Sequence, residues 1–255
     1  MTLNELNKYF NSFLKIEDFS NDVSKNGIQI QNSNPEKKEI KKVAFAVDAV
    51  EATAIKAADV GADLLFVHHG LFWPNGEVLT GSAYKRVAPL IKNDIALYAC
   101  HIPLDANNPY GNNYGLANRI GLKNLEGFGF WREMQCGVKG ELEKPVSAEE
   151  LAKRALNSGE KALRILPFGK KEIRSVGIIS GGAADDVFQA IELGLDAYIT
   201  GEIEHSLYHY IKESEINFIA LGHYNSETVG VSLVAKKLQE ETGIETVFID
   251  YQTDL

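Results

Sequence analysis

Cysteine and long apolar runs are both scarce in this chain. Only two of the 255 residues are cysteines, Cys100 and Cys136, which is too few for a disulfide framework. No stretch of about 18 apolar residues occurs, and the first residues lack the uninterrupted apolar run of a signal peptide. We therefore expect no membrane span and no secretory leader, and a reducing cytoplasm is the expected compartment.

Basic charge is also in deficit. The chain has 26 lysines and arginines against 35 acidic residues, which gives a formal net charge of −9. Binding to nucleic acid without sequence preference needs a basic surface, so this balance argues against a nucleic-acid partner unless a local basic patch exists. The 45% apolar and 24% charged composition is that of an ordinary globular protein.

Alternating hydrophobic patterns predict an α/β fold. Thr2 and Glu5 have the spacing of a capping box, and apolar residues recur at helical spacing as far as Leu14, which predicts a first helix over 2–14. Short β-branched runs alternate with helical patterns from there to about residue 100, and the alternation resumes at Val176. The glycine-rich stretch at 121–146 predicts hairpins or irregular connections.

An internal repeat becomes visible when the chain is compared with itself at an offset of 133 residues. Residues 43–69 then lie over 176–202 without a gap. The identical pairs are Val43/Val176, Ala57/Ala190, Gly61/Gly194 and Asp63/Asp196. The shared order of strand, helix, Gly-x-Asp and strand predicts two similar packed α/β lobes, 1–125 and 126–255, and the C-terminal segment could join the first lobe in space. The alternative is that any two strand–helix units look alike.

Four of the six histidines directly follow predicted strands. His68 and His69 follow LLFV, His101 follows ALYAC, and His223 follows FIALG. In open α/β sheets, ligands bind in the crevice outside the carboxyl ends of the strands. A single histidine at such a place is more often a structural hydrogen bonder, but the combination of four favours a metal site.

Carboxylates at fixed spacing complete the predicted ligand set. Glu227 lies four residues after His223, so both would lie on one face if a helix begins after Gly222. Asp105 lies four residues after His101, but Pro103 between them favours a loop there. We predict two divalent ions, with zinc, manganese, iron, cobalt or nickel favoured over magnesium by the mixed nitrogen and oxygen donors. The predicted ligands are His68, His69, Asp105, His223 and Glu227.

Other polar residues have more than one interpretation. His101 could be a further ligand, a hydrogen-bonding partner of a ligand or a proton shuttle, and we favour a role that is not ligation. Glu202 occupies the repeat position of His69, so it could face the same cleft. His205 and His209 lie four apart on a predicted helix and are interpreted as surface or interface residues.

Five motifs, in their order along the chain, resemble a known family. They are NGIQI (26–30), LLFVHHGLFW (64–73), HIPLDAN (101–107), GLDAYITGEIEH (194–205) and GHYNSE (222–227). Together they resemble the Nif-three-like proteins, which are often labelled GTP cyclohydrolase I type 2 homologues. The motifs extend from residue 26 to residue 227, so the resemblance covers nearly the whole chain.

The resemblance implies a structure and a site. Family members have two related α/β lobes and form toroidal homohexamers with dinuclear metal sites facing an internal cavity. The family's ligand positions fall on the five predicted ligands, and His101 matches a position close to the metals. The stretch 121–175 is too short for the extra domain that some members carry, so the chain resembles the compact form.

The sequence leaves two main functional hypotheses and one weaker one. The first is a metal-dependent hydrolase that acts on a nucleotide or a similar small phosphorylated or heterocyclic substrate, with His101 as proton shuttle and Glu202 in contact with substrate. The second is a non-enzymatic metal-binding ring that serves as regulator, scaffold or metal store. The third, a ring around nucleic acid, is opposed by the charge of −9.

Overall fold

The computed structural model describes residues 1–74, 76, 78–253 and 255. These residues form two compact units. The first unit comprises Met1–Leu104 with Val231–Tyr251, and the second comprises Asp105–Gly230 with Gln252–Leu255. Each unit contains a mixed β-sheet with helices, which confirms the two-lobed α/β fold. The lobe boundaries 1–125 and 126–255 stay a prediction.

The secondary structure alternates along most of the chain. The helices are α1 (Leu3–Leu14), α2 (Glu51–Asp59), α3 (Gly81–Lys92), α4 (Ile102–Ala106), α5 (Asn112–Ile120), α6 (Ala148–Ala155), α7 (Val187–Glu192), α8 (Tyr208–Glu213) and α9 (His223–Thr242). The strands are β1 (Gly27–Ile30), β2 (Lys42–Asp48), β3 (Leu64–His69), β4 (Ala96–Ala99), β5 (Leu122–Trp131), β6 (Met134–Val146), β7 (Arg164–Pro167), β8 (Ile173–Ile178), β9 (Ala197–Thr200), β10 (Asn217–Ala220) and β11 (Glu245–Phe248). Among the described residues, no helix combines the length and the apolar composition needed to cross a bilayer.

The sheet of the first unit has the strand order β1-β4-β3-β2-β11. Strands β11, β2, β3 and β4 run parallel, and β1 pairs antiparallel with β4. The parallel register pairs Asp48 of β2 with His69 of β3. The carboxyl ends of β2, β3 and β4 therefore meet at one edge of this sheet, where the predicted histidines begin.

The sheet of the second unit has the order β5-β6-β8-β9-β10-β7. Strands β8, β9 and β10 run parallel, and β7 pairs antiparallel with β10 as β1 does with β4. Strands β5 and β6 form a long antiparallel pair, which confirms the predicted hairpin at 121–146. The carboxyl ends of β8, β9 and β10 lead to Ser180, Glu202 and His223.

The internal repeat extends to individual hydrogen bonds. One carboxylate oxygen of Asp63 accepts from the backbone N–H groups of residues 41–42 at 2.8 and 3.1 Å. One carboxylate oxygen of Asp196 accepts from the N–H groups of residues 174–175, both at 3.0 Å. The acceptor and both donors of the first unit correspond to those of the second at the offset of 133 residues that relates the two copies. The identical aspartate thus fastens the start of the first repeat strand to the start of the next in each unit.

The first unit is stabilised by an aromatic core beneath α1. Thr2 accepts from the N–H of Glu5 and the Glu5 carboxylate accepts from the N–H of Thr2, so the predicted capping box is confirmed. The helix buries its apolar face, and the ring of Phe10 lies 5.0 Å from that of Phe66 and 4.9 Å from that of Tyr98. This packing covers one face of β3 and β4 at positions before their carboxyl ends.

Candidate metal centre

Two adjacent histidines end β3 with their rings side by side. The ring centroids of His68 and His69 are 4.5 Å apart, and His68 is fully buried. His68 donates from Nδ1 to the carbonyl oxygen of Cys100 at 2.9 Å. His69 donates from Nδ1 to the carboxylate of Asp48 at 2.8 Å, across the parallel pair that the register establishes.

A third imidazole of the first unit joins this pair. The ring centroid of His101, which follows β4, lies 5.3 Å from that of His68 and 5.7 Å from that of His69. One ring nitrogen from each of the three residues lies within 4.8 Å of the others. We call His68, His69 and His101 the histidine cluster. Its geometry allows it to hold a metal ion.

The hydrogen bonds select one tautomer for these rings. A carbonyl oxygen and an ionised carboxylate can only accept, so the proton must lie on Nδ1 in each case. His101 follows the same rule, because its Nδ1 donates to Asp22 at 2.9 Å. The lone pair of each neutral ring is then on Nε2, and metal-binding histidines are usually oriented by this kind of bond.

In the second unit, a helix begins at a predicted ligand. Gly222 has φ +101°, a conformation that favours glycine, and α9 starts directly after it at His223. Glu227 follows one turn later, and its carboxylate lies 3.3 Å from Nε2 of His223. The predicted helix after Gly222 is confirmed.

Asp105 is the second buried carboxylate of this unit. One of its oxygens accepts from Asn112 at 2.9 Å and from the hydroxyl of Ser180 at 2.8 Å. A carboxylate oxygen of Asp105 lies within 4.8 Å of one of Glu227, and the two residues are only 5% and 3% exposed. Two buried like charges this close are costly without a compensating cation, so the donor set fits a metal. We call Asp105, His223 and Glu227 the carboxylate cluster.

Glu202 is a hydrogen-bond partner of His223. The imidazole donates from Nδ1 to the Glu202 carboxylate at 2.5 Å. Burial works to lower the pKa of His223, but the carboxylates of Glu227 and Glu202 outweigh it and raise the pKa to about 9. A divalent cation needs the lone pair of Nε2 and would therefore displace the proton that this pKa describes. The predicted contact of Glu202 with substrate stays a prediction.

The loop after β8 encloses the carboxylate cluster. Gly181 has φ +69°, and a Cβ atom there would lie 2.2 Å from a carboxylate oxygen of Glu227 and 3.2 Å from Nε2 of His223. The N–H of Gly181 donates to the hydroxyl of Ser226 at 2.9 Å. Only a glycine fits at this position without moving a predicted ligand.

One local prediction is wrong. Pro103 favours a loop between His101 and Asp105, but the structure has the short helix α4 there, over Ile102–Ala106. Proline is tolerated in the first turn of a helix, because the N–H groups of that turn have no partner within the helix. His101 therefore lies just before a helical turn and Asp105 lies within it.

The predicted residues thus gather within their own units. His68 and His69 lie with His101 in the first unit, and the other three ligands lie together in the second. Convergence of all five on one site stays a prediction. His205, in a 3-10 turn, and His209, on α8, are both exposed, as expected of surface residues.

Sequence reasoning missed four residues that orient predicted site residues. Asp48 could have been found, because it stands at the carboxyl end of β2 beside the others. Asp22 and Ser180 act through side-chain contacts between distant segments, and Asn112 reaches Asp105 from the following helix. No periodicity or spacing in the sequence indicates such contacts.

The comparisons with known proteins agree over the whole length. A family model described as Duf34/NIF3 (NGG1p interacting factor 3) matches residues 1–255. A Treponema pallidum protein named GTP cyclohydrolase 1 type 2 homolog is 45% identical, and the alignment covers all of both chains. A protein of the same name from Archaeoglobus fulgidus is 39% identical with the same coverage.

Solved structures share the fold. TTHA1606 from Thermus thermophilus has a TM-score of 0.90 at 35% identity, with 100% of both chains covered. Protein ybgI, described as of unknown function, has a TM-score of 0.90 at 32% identity with the same coverage. The family model and these full-length relatives show that the chain belongs to the Duf34/NIF3 family.

Proposed function

We propose that the protein binds two divalent metal ions and is a metal-dependent hydrolase of a nucleotide or a similar small phosphorylated or heterocyclic substrate. The observation that carries the proposal is the state of the imidazoles. His68, His69 and His223 each donate from Nδ1 to an oxygen acceptor. His68 and His69 therefore offer Nε2 for a metal, and His223 does so once the cation displaces its second proton, which is the arrangement expected of metal ligands.

The proposal joins the histidine cluster and the carboxylate cluster in one dinuclear site. Chain connectivity supports this, because His101 and Asp105 are four residues apart and their Cα atoms cannot be farther apart than about 14 Å. Charge supports it as well. The histidine cluster contributes neutral donors, whereas the carboxylate cluster contributes the anions that offset part of the charge of two ions.

The proposed ligands are His68, His69, Asp105, His223 and Glu227. Two ions held by these residues would supply an activated water and stabilise the charge that develops during hydrolysis. Glu227 would supply a carboxylate ligand one helical turn after His223. His101 lies outside the ligand set and would accept a proton on Nε2 and later return it. Glu202 would orient His223 and meet the substrate with its exposed side.

The names of the curated relatives suggest the substrate class. They are called GTP cyclohydrolase 1 type 2 homologs, which favours a purine nucleotide. Opening a purine ring and cleaving a phosphoester both need an activated water and stabilisation of developing negative charge. We therefore propose GTP and a phosphodiester as the first probes.

Metal content is the first test. Purified protein loaded with Mn²⁺ or Zn²⁺ should contain two ions per chain by elemental analysis, with two anomalous peaks at the metal edge in crystals. His223→Gln and Glu227→Gln should each lower that content, whereas His209→Gln and Glu213→Gln, at exposed positions on α8, should not. Equal metal content in all four variants would refute the ligand assignment.

Turnover is the second test. Loaded protein should hydrolyse GTP or bis(p-nitrophenyl) phosphate, and Glu227→Gln should abolish the reaction. His101→Gln should keep two ions and lose turnover if His101 transfers a proton, but should lose metal if it is a ligand. Full metal content without turnover of either probe would contradict the hydrolase and favour the non-enzymatic metal-binding protein.

Assembly and compartment are further parts of the proposal. The family resemblance leads us to propose a homohexamer, for which six times 28.1 kDa gives about 169 kDa. Light scattering after size exclusion tests this mass, and a monomeric mass would contradict it. Both cysteines are buried thiols, which is compatible with the reducing cytoplasm in which we place the protein.

A further inference from the structure

Asp22 is a buried carboxylate surrounded by donors. Its side chain is 1% exposed. One oxygen accepts from Nδ1 of His101 at 2.9 Å and from the N–H of Ser24 at 3.0 Å. The other accepts from the amide of Asn26 at 2.7 Å and from the N–H of Ile102 at 3.1 Å. Every partner is a donor, so the site is built for an anion.

The charge of Asp22 is maintained in spite of burial. Burial acts to raise the pKa of this carboxyl, but the hydrogen bonds from His101, Asn26 and Ser24 bring the pKa below its ordinary value of 3.8. An ionised carboxylate has no proton to donate. The proton between Asp22 and His101 therefore lies on Nδ1 of the imidazole.

The backbone and the far side of His101 are also fixed. The N–H of His101 donates to the amide oxygen of Asn26 at 2.7 Å. The ring of Trp73 meets the imidazole edge-on, with centroids 5.3 Å apart. With Nδ1 held by Asp22, one ring nitrogen of His101 comes within 4.8 Å of ring nitrogens of His68 and His69.

We propose that Asp22 is a positioning residue for proton transfer, which holds His101 as the Nδ1–H tautomer and keeps the lone pair of Nε2 toward the metal centre. This inference deepens the proposed function, because it rests on His101 accepting a proton during hydrolysis. Asp22 itself touches neither metal nor substrate. Its effect on turnover passes through the orientation and the tautomer of one ring.

A purely structural role is the competing explanation. Asp22 also accepts from Ser24 and Ile102, so its removal would loosen the loop before β1 and the start of α4 in any case. Loss of these bonds would lower stability whether or not His101 is present. The two explanations differ in what happens to the tautomer of His101 and in whether the effect on turnover needs His101.

The first measurement is the tautomer itself. Nitrogen-15 shifts of His101 in metal-free protein should show hydrogen on Nδ1 in the wild type. Asp22→Ala removes the acceptor, and we expect the Nε2–H form to become the main one, as for a neutral histidine side chain in water. Asp18→Ala, at an exposed position in the preceding 3-10 turn, is the matched control and should leave the spectrum unchanged. An unchanged Nδ1–H signal in Asp22→Ala would overturn the proposal.

The second measurement is a double-mutant cycle on turnover. With Mn²⁺ and GTP or bis(p-nitrophenyl) phosphate, Asp22→Ala should lower kcat by about 10²-fold or more, with little change in KM. In the His101→Gln background, the same substitution should lower kcat no further. An equal loss in both backgrounds would show that Asp22 acts on the fold alone.

Two safeguards keep this test decisive. If Asp22→Ala does not fold, Asp22→Asn takes its place, since it keeps the size and an acceptor for at most two of the four donors. The tautomer is measured without metal or substrate, so it decides the positioning of His101 even if neither probe is turned over. Failure of turnover with an intact Nδ1–H signal would count against the hydrolase alone.

Discussion

Replacing Gly181 by alanine should disturb the metal centre from a residue that binds no metal. The added Cβ would lie 2.2 Å from a carboxylate oxygen of Glu227. Non-bonded contacts relax only beyond about 3.5 Å, so Glu227 must move by about 1 Å. Its carboxylate is the far end of a side chain that can rotate, but that oxygen is buried and belongs to a proposed ligand.

A matched glycine separates the effect of the added Cβ on Glu227 from the effect of backbone strain. Gly194 has φ +65°, close to the +69° of Gly181, and a Cβ there would meet nothing within 4 Å. Both substitutions should lower the free energy of unfolding by about 1–2 kcal/mol, because alanine is strained in the left-handed region. Gly181→Ala alone should also weaken metal binding, by about 10- to 100-fold.

Two assays read these effects independently. Urea unfolding of metal-free protein gives the free energy of unfolding, and competition with a chromophoric chelator gives the metal affinity. We expect Gly194→Ala to bind metal as the wild type does. If Gly181→Ala binds metal as tightly as Gly194→Ala, Glu227 is not a ligand in the position that the structure gives it, and the reasoning fails.

Three further predictions concern residues that hold the fold or the site. Ser180→Ala removes a hydroxyl donor to Asp105 and should weaken Mn²⁺ binding about tenfold; an unchanged titration isotherm would contradict this. Phe10→Ala empties the aromatic core and should cost about 3–5 kcal/mol in urea unfolding, and a loss below about 1 kcal/mol would show that the core collapses around the gap. The pKa of Asp196 lies below 3.8, because bonds from Lys170 and two backbone N–H groups outweigh the burial that raises it. Its stabilising contribution is therefore complete above about pH 3.8 and declines at lower pH. Asp196→Asn should lower the free energy of unfolding at pH 7, and the difference between variant and wild type should become smaller in acid.

The sequence predicts the strand ends well, because two local signals coincide there. A buried strand must be apolar, and a polar side chain directly after it stands at the edge of the sheet. His68, His69 and His223 were all found by this rule, and each lies at such an edge with Nδ1 bound to an acceptor. The helical spacing of His223 and Glu227 added the second ligand of α9.

The residues that orient the proposed ligands and His101 cannot be predicted by this rule. Asp22 lies in an irregular segment between a 3-10 turn and β1, and its four donors come from residues up to 80 positions away. Asn112 reaches Asp105 from the next helix and accepts from the N–H of Gly230, 118 residues later. Such contacts depend on how whole segments pack. Spacing along the chain cannot reveal them.

The internal repeat shows which residues both copies of the strand–helix–strand unit need. Gly61 and Gly194 have φ +66° and +65°, and each ends the helix before a parallel strand. Asp63 and Asp196 each accept from two backbone N–H groups of the preceding repeat strand. These identities serve the backbone, so they are needed wherever this strand–helix–strand unit is built.

The strand ends carry the chemistry instead, and there the copies differ. His69 has Glu202 at its repeat position. In the first unit the histidine is the proposed ligand and Asp48 of the neighbouring strand orients it. In the second unit the glutamate is the orienting residue, and the proposed ligand is His223 after the neighbouring strand. Each unit thus pairs a carboxylate with an imidazole across adjacent parallel strands, but the pair is displaced by one strand, since it lies at β2 and β3 in the first unit and at β9 and β10 in the second. Comparing the sequence with itself therefore predicts the backbone framework of both units. The role of each polar residue at the edge of a sheet must be taken from the hydrogen bonds.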